Sequence, residues 1–282
     1  MAIWRIAALF GVLLLAAGLR SWGLLSGELL WHPDEIFMVV YPLNLLSGDL
    51  NPHTFSYPGL HYYLLASIYG VQFLLHALLS SGADFSVWLA ERYLWVPEYT
   101  RDAARWVSVI YSVATVAATG LLGGLLVDLR LGWRRALTSD AGLLASLLAG
   151  VNILLVRQAP LAGMDTPLAF WFAISALGSM RLLRVGALRA YLFAGALVGV
   201  CAATKYPGAS TAGSVLVAHL FARRGILDRR LWAAGAASVA VFLLLSPCTL
   251  LDASSFRSGF LYQLQHATGG RWGIQHGPLY QL

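Results

Sequence analysis

Charge is scarce in this chain. Only 11% of its 282 residues are Asp, Glu, Lys or Arg, against roughly a quarter in an ordinary soluble domain. With 59% of positions apolar, a water-soluble globule is excluded. Cysteine is nearly absent too. Cys201 and Cys248 are the only two and each sits in an apolar stretch, which excludes a disulfide scaffold and a thiolate metal cage. The net charge is +6, but the 19 basic residues are scattered in ones, twos and threes. No run tracks a phosphate backbone, so nucleic acid is not an expected partner. No Walker loop, dinucleotide fingerprint, HExxH or zinc-ligand spacing occurs.

What is present is length without charge. A bilayer core of about 30 Å takes about 20 apolar residues as a helix. Seven runs meet or approach that, at residues 6–25, 106–127, 141–156, 167–180, 190–204, 209–222 and 231–250. The first has signal-peptide features, with Arg5 before the apolar stretch and Ala16, Ala17 and Gly18 at its end. It reads better as an uncleaved span, because apolar character resumes after Arg20, whose side chain is expected to snorkel to the interface. The expected fold is therefore all-α, a polytopic transmembrane bundle of about seven spans in one domain covering 1–282.

An eighth stretch, 57–79, is long enough to cross but carries His61, Gln72 and His76. If it lies along the membrane surface, segments 128–140, 181–189 and 223–230 share one side with the N-terminus. Those segments hold Arg130, Arg134, Arg135, Arg181, Arg184, Arg189, Arg223, Arg224, Arg229 and Arg230. The positive-inside rule assigns such a cluster to the cytoplasm, so 57–79 is expected to be interfacial. Most of the acidic residues then face outward: Glu28, Asp34, Glu35, Asp49, Asp84, Glu91, Glu98, Asp102, Asp165 and Asp252. The first outer loop runs from about 26 to 105, far longer than an unstructured connection usually is.

Four places in this arrangement offer chemistry. Trp31-His32-Pro33-Asp34-Glu35 puts adjacent carboxylates just after the first span. Neighbours on a helix face different ways, so one acid would work while the other orients it; equally, acids behind a proline are an ordinary helix start. Asn51 to Tyr63, with Tyr57 and His61, is a turn-rich entry to an aromatic helix. Its rings suit a sugar or a tyrosine belt at headgroup level, and His53 and His61 are usable polar groups. Arg157 and Asp165 bracket a short loop, either as functional charges or as a pair that closes it, with Asp165 alternatively capping the helix from Pro167. Lys205 is the only lysine, and an ammonium on a flexible stem suits a phosphate that must bind and leave; snorkelling is the alternative. Gly120-xxx-Gly124 and Gly195-xxx-Gly199 read as helix packing, and His266 and His276 lie near a glycine-rich stretch read as a loop.

In order and spacing these features resemble the polytopic, lipid-sugar-dependent glycosyltransferases of the GT-C fold, in the protein O-mannosyltransferase and aminoarabinose transferase branch. The resemblance rests on His32-Pro33-Asp34-Glu35, on Tyr57-Pro58-Gly59-Leu60-His61-Tyr62-Tyr63, and on Ala104-Arg105-Trp106-Val107-Ser108. It continues through Arg157 to Asp165-Thr166-Pro167-Leu168 and ends in Thr204-Lys205-Tyr206-Pro207-Gly208. Related proteins commonly carry Pro-Pro where this chain has Pro58-Gly59, and they run well beyond seven spans. The chain therefore reads as the N-terminal portion of such an enzyme, truncated at its C-terminus, or as a minimal relative.

The resemblance implies Asp34 as general base, supported by Glu35, and a donor site lined by Arg105, Arg157, Asp165 and Lys205. It implies a polyprenyl-phosphate-linked sugar donor, a lipid, glycan or protein acceptor, and an inverting transfer on the outer face of a bacterial inner membrane. No cofactor is required, and a divalent cation on Asp34, Glu35 and Asp165 is compatible but not needed. Two other readings stay open: a transporter or flippase of a lipid-linked saccharide, and a catalytically incomplete fragment.

Overall fold

The computed structural model describes residues 3–26, 32–80, 82–95 and 97–269. Glu28, Trp31, His276 and the side chain of His266 lie outside the described residues. Among those described, all regular structure is helical. The long elements are α1 (Ile3–Leu25), α2 (Glu35–Leu45), α3 (Leu60–Leu79), α4 (Phe85–Leu94) and α5 (Glu98–Val127). Next come α6 (Trp133–Leu137), α7 (Asp140–Gly150), α8 (Ile153–Gln158), α9 (Asp165–Val185) and α10 (Leu188–Thr204). A 3-10 turn (Tyr206–Thr211) leads into α11 (Ala212–Phe221), α12 (Arg229–Leu245), α13 (Cys248–Leu251) and α14 (Ala253–Gly269).

Local chemistry sets most of these boundaries. Asp84, Ser139, Asn152 and Asp228 each accept a backbone N–H at a helix start, as N-caps do. Asn152, capping α8, is why the run at 141–156 is two helices rather than one, and the non-helical backbone at Ser246 before Pro247 divides the run at 231–250 without a side-chain cap. Gly186, at φ 64°, closes α9 by donating its N–H to the Leu182 carbonyl.

The helices run between two ends. At one, Arg5 of α1 meets the Asp140 carboxylate at 2.9 Å and the Thr138 carbonyl at 3.3 Å, beside the start of α7. Arg184 of α9 donates to the Leu131 carbonyl, and Arg224 and Arg230 both donate to the Gly186 carbonyl, so the three arginine-bearing connections gather at this Arg5 end. The start of α9, the end of α10 and the end of α12 lie at the other, which we call the Glu35 end. From Arg105 to Val127, α5 covers about 33 Å at 1.5 Å per residue, the thickness of a hydrocarbon core.

Close backbone approach holds the bundle. A Cβ on Gly120 or Gly124 would collide with Ser146 or with the Ala136 carbonyl, and one on Gly195 or Gly199 would strike the Ala234 or Ser238 carbonyl of α12. Both glycine pairs are thus packing surfaces, as their spacing predicts. Phe10, Leu126 and Leu148, each at least 60% exposed, turn apolar side chains outward in the manner of lipid-facing helices. Among the described residues four helices, α1, α3, α5 and α9, are long and apolar enough to cross a membrane; the remaining runs form shorter helices. The molecule is an integral membrane protein.

One expectation changes at this level and a second keeps both of its readings. Arg20 does not snorkel outward: it is fully buried, with Nε donating to Ser112 Oγ at 2.7 Å and the guanidinium donating to the carbonyls of Ala16, Ala149 and Gly150. Because α7 ends at Gly150, its orphan carbonyls and negative dipole end give this cation a partner inside the bundle that water would otherwise supply. The second is α3, whose length and composition suit a crossing helix as well as an interfacial one. Gly59 donates to Ser246 Oγ, Tyr69 donates to the Met38 carbonyl of α2, and Phe73 packs on Phe85 and Trp88 of α4.

Candidate active site

The site grows from the break between α1 and α2. Pro33 and Asp34 precede α2, whose first residue, Glu35, points inward and is 1% exposed. Arg105, two turns into α5, meets it fork to fork: Nε donates to Oε1 at 2.6 Å and Nη2 to Oε2 at 2.7 Å. Two backbone N–H groups complete the shell, Ala162 to Oε1 and His32 to Oε2, each at 3.0 Å. Burial pushes this carboxyl's pKa up, but the bonds from Arg105, Ala162 and His32 outweigh it and hold Glu35 below its ordinary range. Glu35 therefore ties together α2, α5 and the loop before α9.

Asp34 faces differently. Its side chain makes no capping bond to α2, while its backbone N–H donates to His32 Nδ1 at 3.2 Å. The half-buried Asp34 lines a small cavity of about 30 Å³ together with Tyr57, Gln158, Gly163 and Asp165, room for a water-sized group. The cavity joins the segment before α2 to the start of α9.

Lys205 reaches the same place from α10, in the extended residue between that helix and the 3-10 turn. Its Nζ donates to Asp165 Oδ1 at 2.6 Å and lies 5.8 Å from the centre of the Tyr57 ring, within cation–π range. Tyr57 is held by its neighbours in sequence: Tyr206 donates to the Phe55 carbonyl at 2.9 Å, and Gly59 is pinned to Ser246. Asp165 opens α9 without capping it, and it pairs with Lys205, forty residues on, rather than with Arg157 across the loop.

The fold thus gathers Asp34, Glu35, Tyr57, Arg105, Asp165 and Lys205. Arg157 is exposed on α8 and outside the cavity, although its neighbour Gln158 lines it. His61 is buried with its ring 5.9 Å from that of Tyr111, a packing position away from the cavity. Sequence reasoning missed the Ala162 N–H, since a backbone donor in an irregular loop leaves no residue-type signal, and Gln158, whose place beside the cavity is set by packing between distant segments. Among the described residues no group of three His, Cys, Asp or Glu side chains converges as a metal site.

An all-helical membrane bundle with a carboxylate and cation cluster at one end defines a class, the polytopic membrane proteins with an ionisable site at one end of the helices. Residues 85–250, more than half of the chain, match the dolichyl-phosphate-mannose-protein mannosyltransferase family, and the chain belongs to that family. The matched segment includes Arg105, Arg157, Asp165 and Lys205, while Asp34, Glu35, Tyr57 and His61 precede it. No curated protein and no solved structure matches the chain.

Proposed function

We propose that this mannosyltransferase-type membrane protein moves a sugar from a polyprenyl phosphate to an acceptor hydroxyl, with inversion and with Asp34 as general base. The observation that carries the proposal is the single cavity shared by Asp34 and Asp165, with Lys205 bonded to Asp165 at its edge. Glu35 has both oxygens occupied by Arg105 and two backbone donors, so proton acceptance falls to its neighbour.

In the reaction, Asp34 takes the proton of the acceptor hydroxyl as its oxygen bonds to the anomeric carbon from the face opposite the phosphate. The anomeric carbon–oxygen bond to the phosphate breaks, and its electron pair leaves with the polyprenyl phosphate. Lys205, exchanging Asp165 for a phosphate oxygen, stabilises that charge, and Tyr57 offers an aromatic face to the cation or the sugar. One base and one leaving group suffice, unlike the carboxylate pair of most glycosidases. The outward distribution of acids and the gathering of arginines at the Arg5 end support an active face on the non-cytoplasmic side of a bacterial inner membrane.

The test is sugar release and transfer by purified protein given a labelled polyprenyl-phosphate mannose. Asp34→Asn is expected to lose about 10²–10⁴-fold in kcat, and Lys205→Gln to raise the donor KM while Asp34→Asn leaves it near the parent value. Equal transfer by the parent and Asp34→Asn would remove the assigned base. Labelled lipid crossing a proteoliposome bilayer with no covalent transfer would favour the transport reading.

A further inference from the structure

A second, larger cavity lies away from the candidate active site. It is a groove of about 640 Å³ between α5, α9 and α10 at the Arg5 end, within the size range of small-molecule sites. Along α9 its arginine rim, Arg181 and Arg184, lies about 24–29 Å from Asp165 at 1.5 Å per residue, and its apolar part reaches back to Ile174, about 14 Å from Asp165. It therefore opens at the opposite membrane level from Lys205.

Its walls and rim differ in kind. Leu121 and Leu125, one turn apart on α5, face Ile174 and Leu177, one turn apart on α9. They form an apolar trough running along the helices. At its end stand Arg181 and Arg184, with Trp133 beside them at 62% exposure. The Arg181 guanidinium lies 5.4 Å from the Phe193 ring centre, and Arg184 donates to the Leu131 and Arg130 carbonyls at 3.3 and 3.5 Å. Among the described residues neither arginine has a carboxylate in ion-pair range. Arg130 and Arg134 flank the same rim and are exposed.

We infer that this groove binds an anionic phospholipid, with an acyl chain in the trough and the phosphodiester between Arg181 and Arg184. Charge complementarity identifies the occupant. An apolar channel parallel to the spans admits a lipid chain, and two arginines lacking acidic partners at its end fit one phosphate. Trp133 sits where an indole ordinarily marks the interface. The site is distinct from any donor site at Lys205 because a single lipid has its phosphate at one membrane level.

The probe is native mass spectrometry of the full chain extracted from nanodiscs made of equal parts phosphatidylglycerol and phosphatidylcholine with identical acyl chains. The parent protein should retain phosphatidylglycerol preferentially. Arg181→Gln, which removes a guanidinium engaged only with a ring, should weaken that retention about fivefold, and Arg181→Gln/Arg184→Gln roughly thirtyfold. Leu125→Trp, which fills the trough and keeps both charges, should lower retention of both lipids. Parent protein holding the two lipids in their mixing ratio would overturn the inference, as would Arg181→Gln keeping the parent preference or Leu125→Trp keeping full retention. In a second set of nanodiscs doped with polyprenyl phosphate, a double glutamine variant that loses polyprenyl phosphate at least as strongly as phosphatidylglycerol would overturn the inference and assign the groove to the donor.

Discussion

Replacing Glu35 by glutamine should destabilise the protein far more than replacing the adjacent Asp34 by asparagine. The Glu35 and Arg105 side chains are 1% and 3% exposed, so neither can turn to water when its partner is lost. Removing one member of such a buried pair costs about 3–5 kcal/mol. Glutamine keeps the shape and one acceptor oxygen, which sets the expectation at about 3 kcal/mol, roughly a hundredfold in the folded-to-unfolded ratio. Four donors now converge on Glu35, two from Arg105 and one each from Ala162 and His32, and the amide NH₂ would meet at least one of them donor to donor. Thermal unfolding of the detergent-solubilised protein measures this directly, and proteolysis in the loop around Ala162 reports the local release. Adding Arg105→Met to Glu35→Gln should recover part of the loss, since the orphaned guanidinium is then gone, although the amide oxygen can accept from only one of Ala162 and His32. An unchanged unfolding temperature in Glu35→Gln, or an equal drop in Asp34→Asn, would refute the assignment of the two carboxylates.

Three further outcomes follow from the same packing. Because Glu35 is held below its ordinary value of 4.5, its contribution is complete above about pH 4.5 and is lost as the pH falls through the lowered folded value; unfolding temperatures across that acid range should fall in the parent and lack this component in Glu35→Gln. Arg20→Met should cost about 3 kcal/mol or more, since the Ala149 and Gly150 carbonyls would lose their donors in a dry interior, and Arg20→Lys should restore only part of the loss in the same unfolding assay. Gly124→Leu should cost at least about 1–3 kcal/mol, because even a Cβ there collides with the Ala136 backbone, and the yield of folded protein in detergent should drop accordingly.

Several of these residues were visible in the sequence and others were not, for reasons that differ. Asp34 and Glu35 stand out because carboxylates after an apolar span are costly unless used, but which of them turns inward depends on Arg105, seventy residues later. Arg157 and Asp165 invite pairing because they are close in the chain, and the fold instead pairs Asp165 with Lys205 because α9 begins where α10 ends. His61 shows the limit of residue type as a guide. A histidine in an aromatic helix reads as a polar handle, yet its neighbour Tyr111 comes from a different helix and makes the position part of the packing.

The sequence by itself determined that the chain is helical, apolar and membrane-embedded. Those properties follow from runs of residues near in the chain, where the cost of burying a charge or an unpaired peptide group acts locally. It also marked the arginine-bearing connections and the close-packing glycines, which depend on composition and spacing alone. Only the tertiary structure decided that Glu35 is bonded to capacity, that Arg20 caps α7, and that Lys205 joins Asp165 and Tyr57. Each of these depends on where helices distant in sequence end relative to one another. A buried charge takes its role from the partner that packing delivers, and no periodicity along one segment encodes that partner.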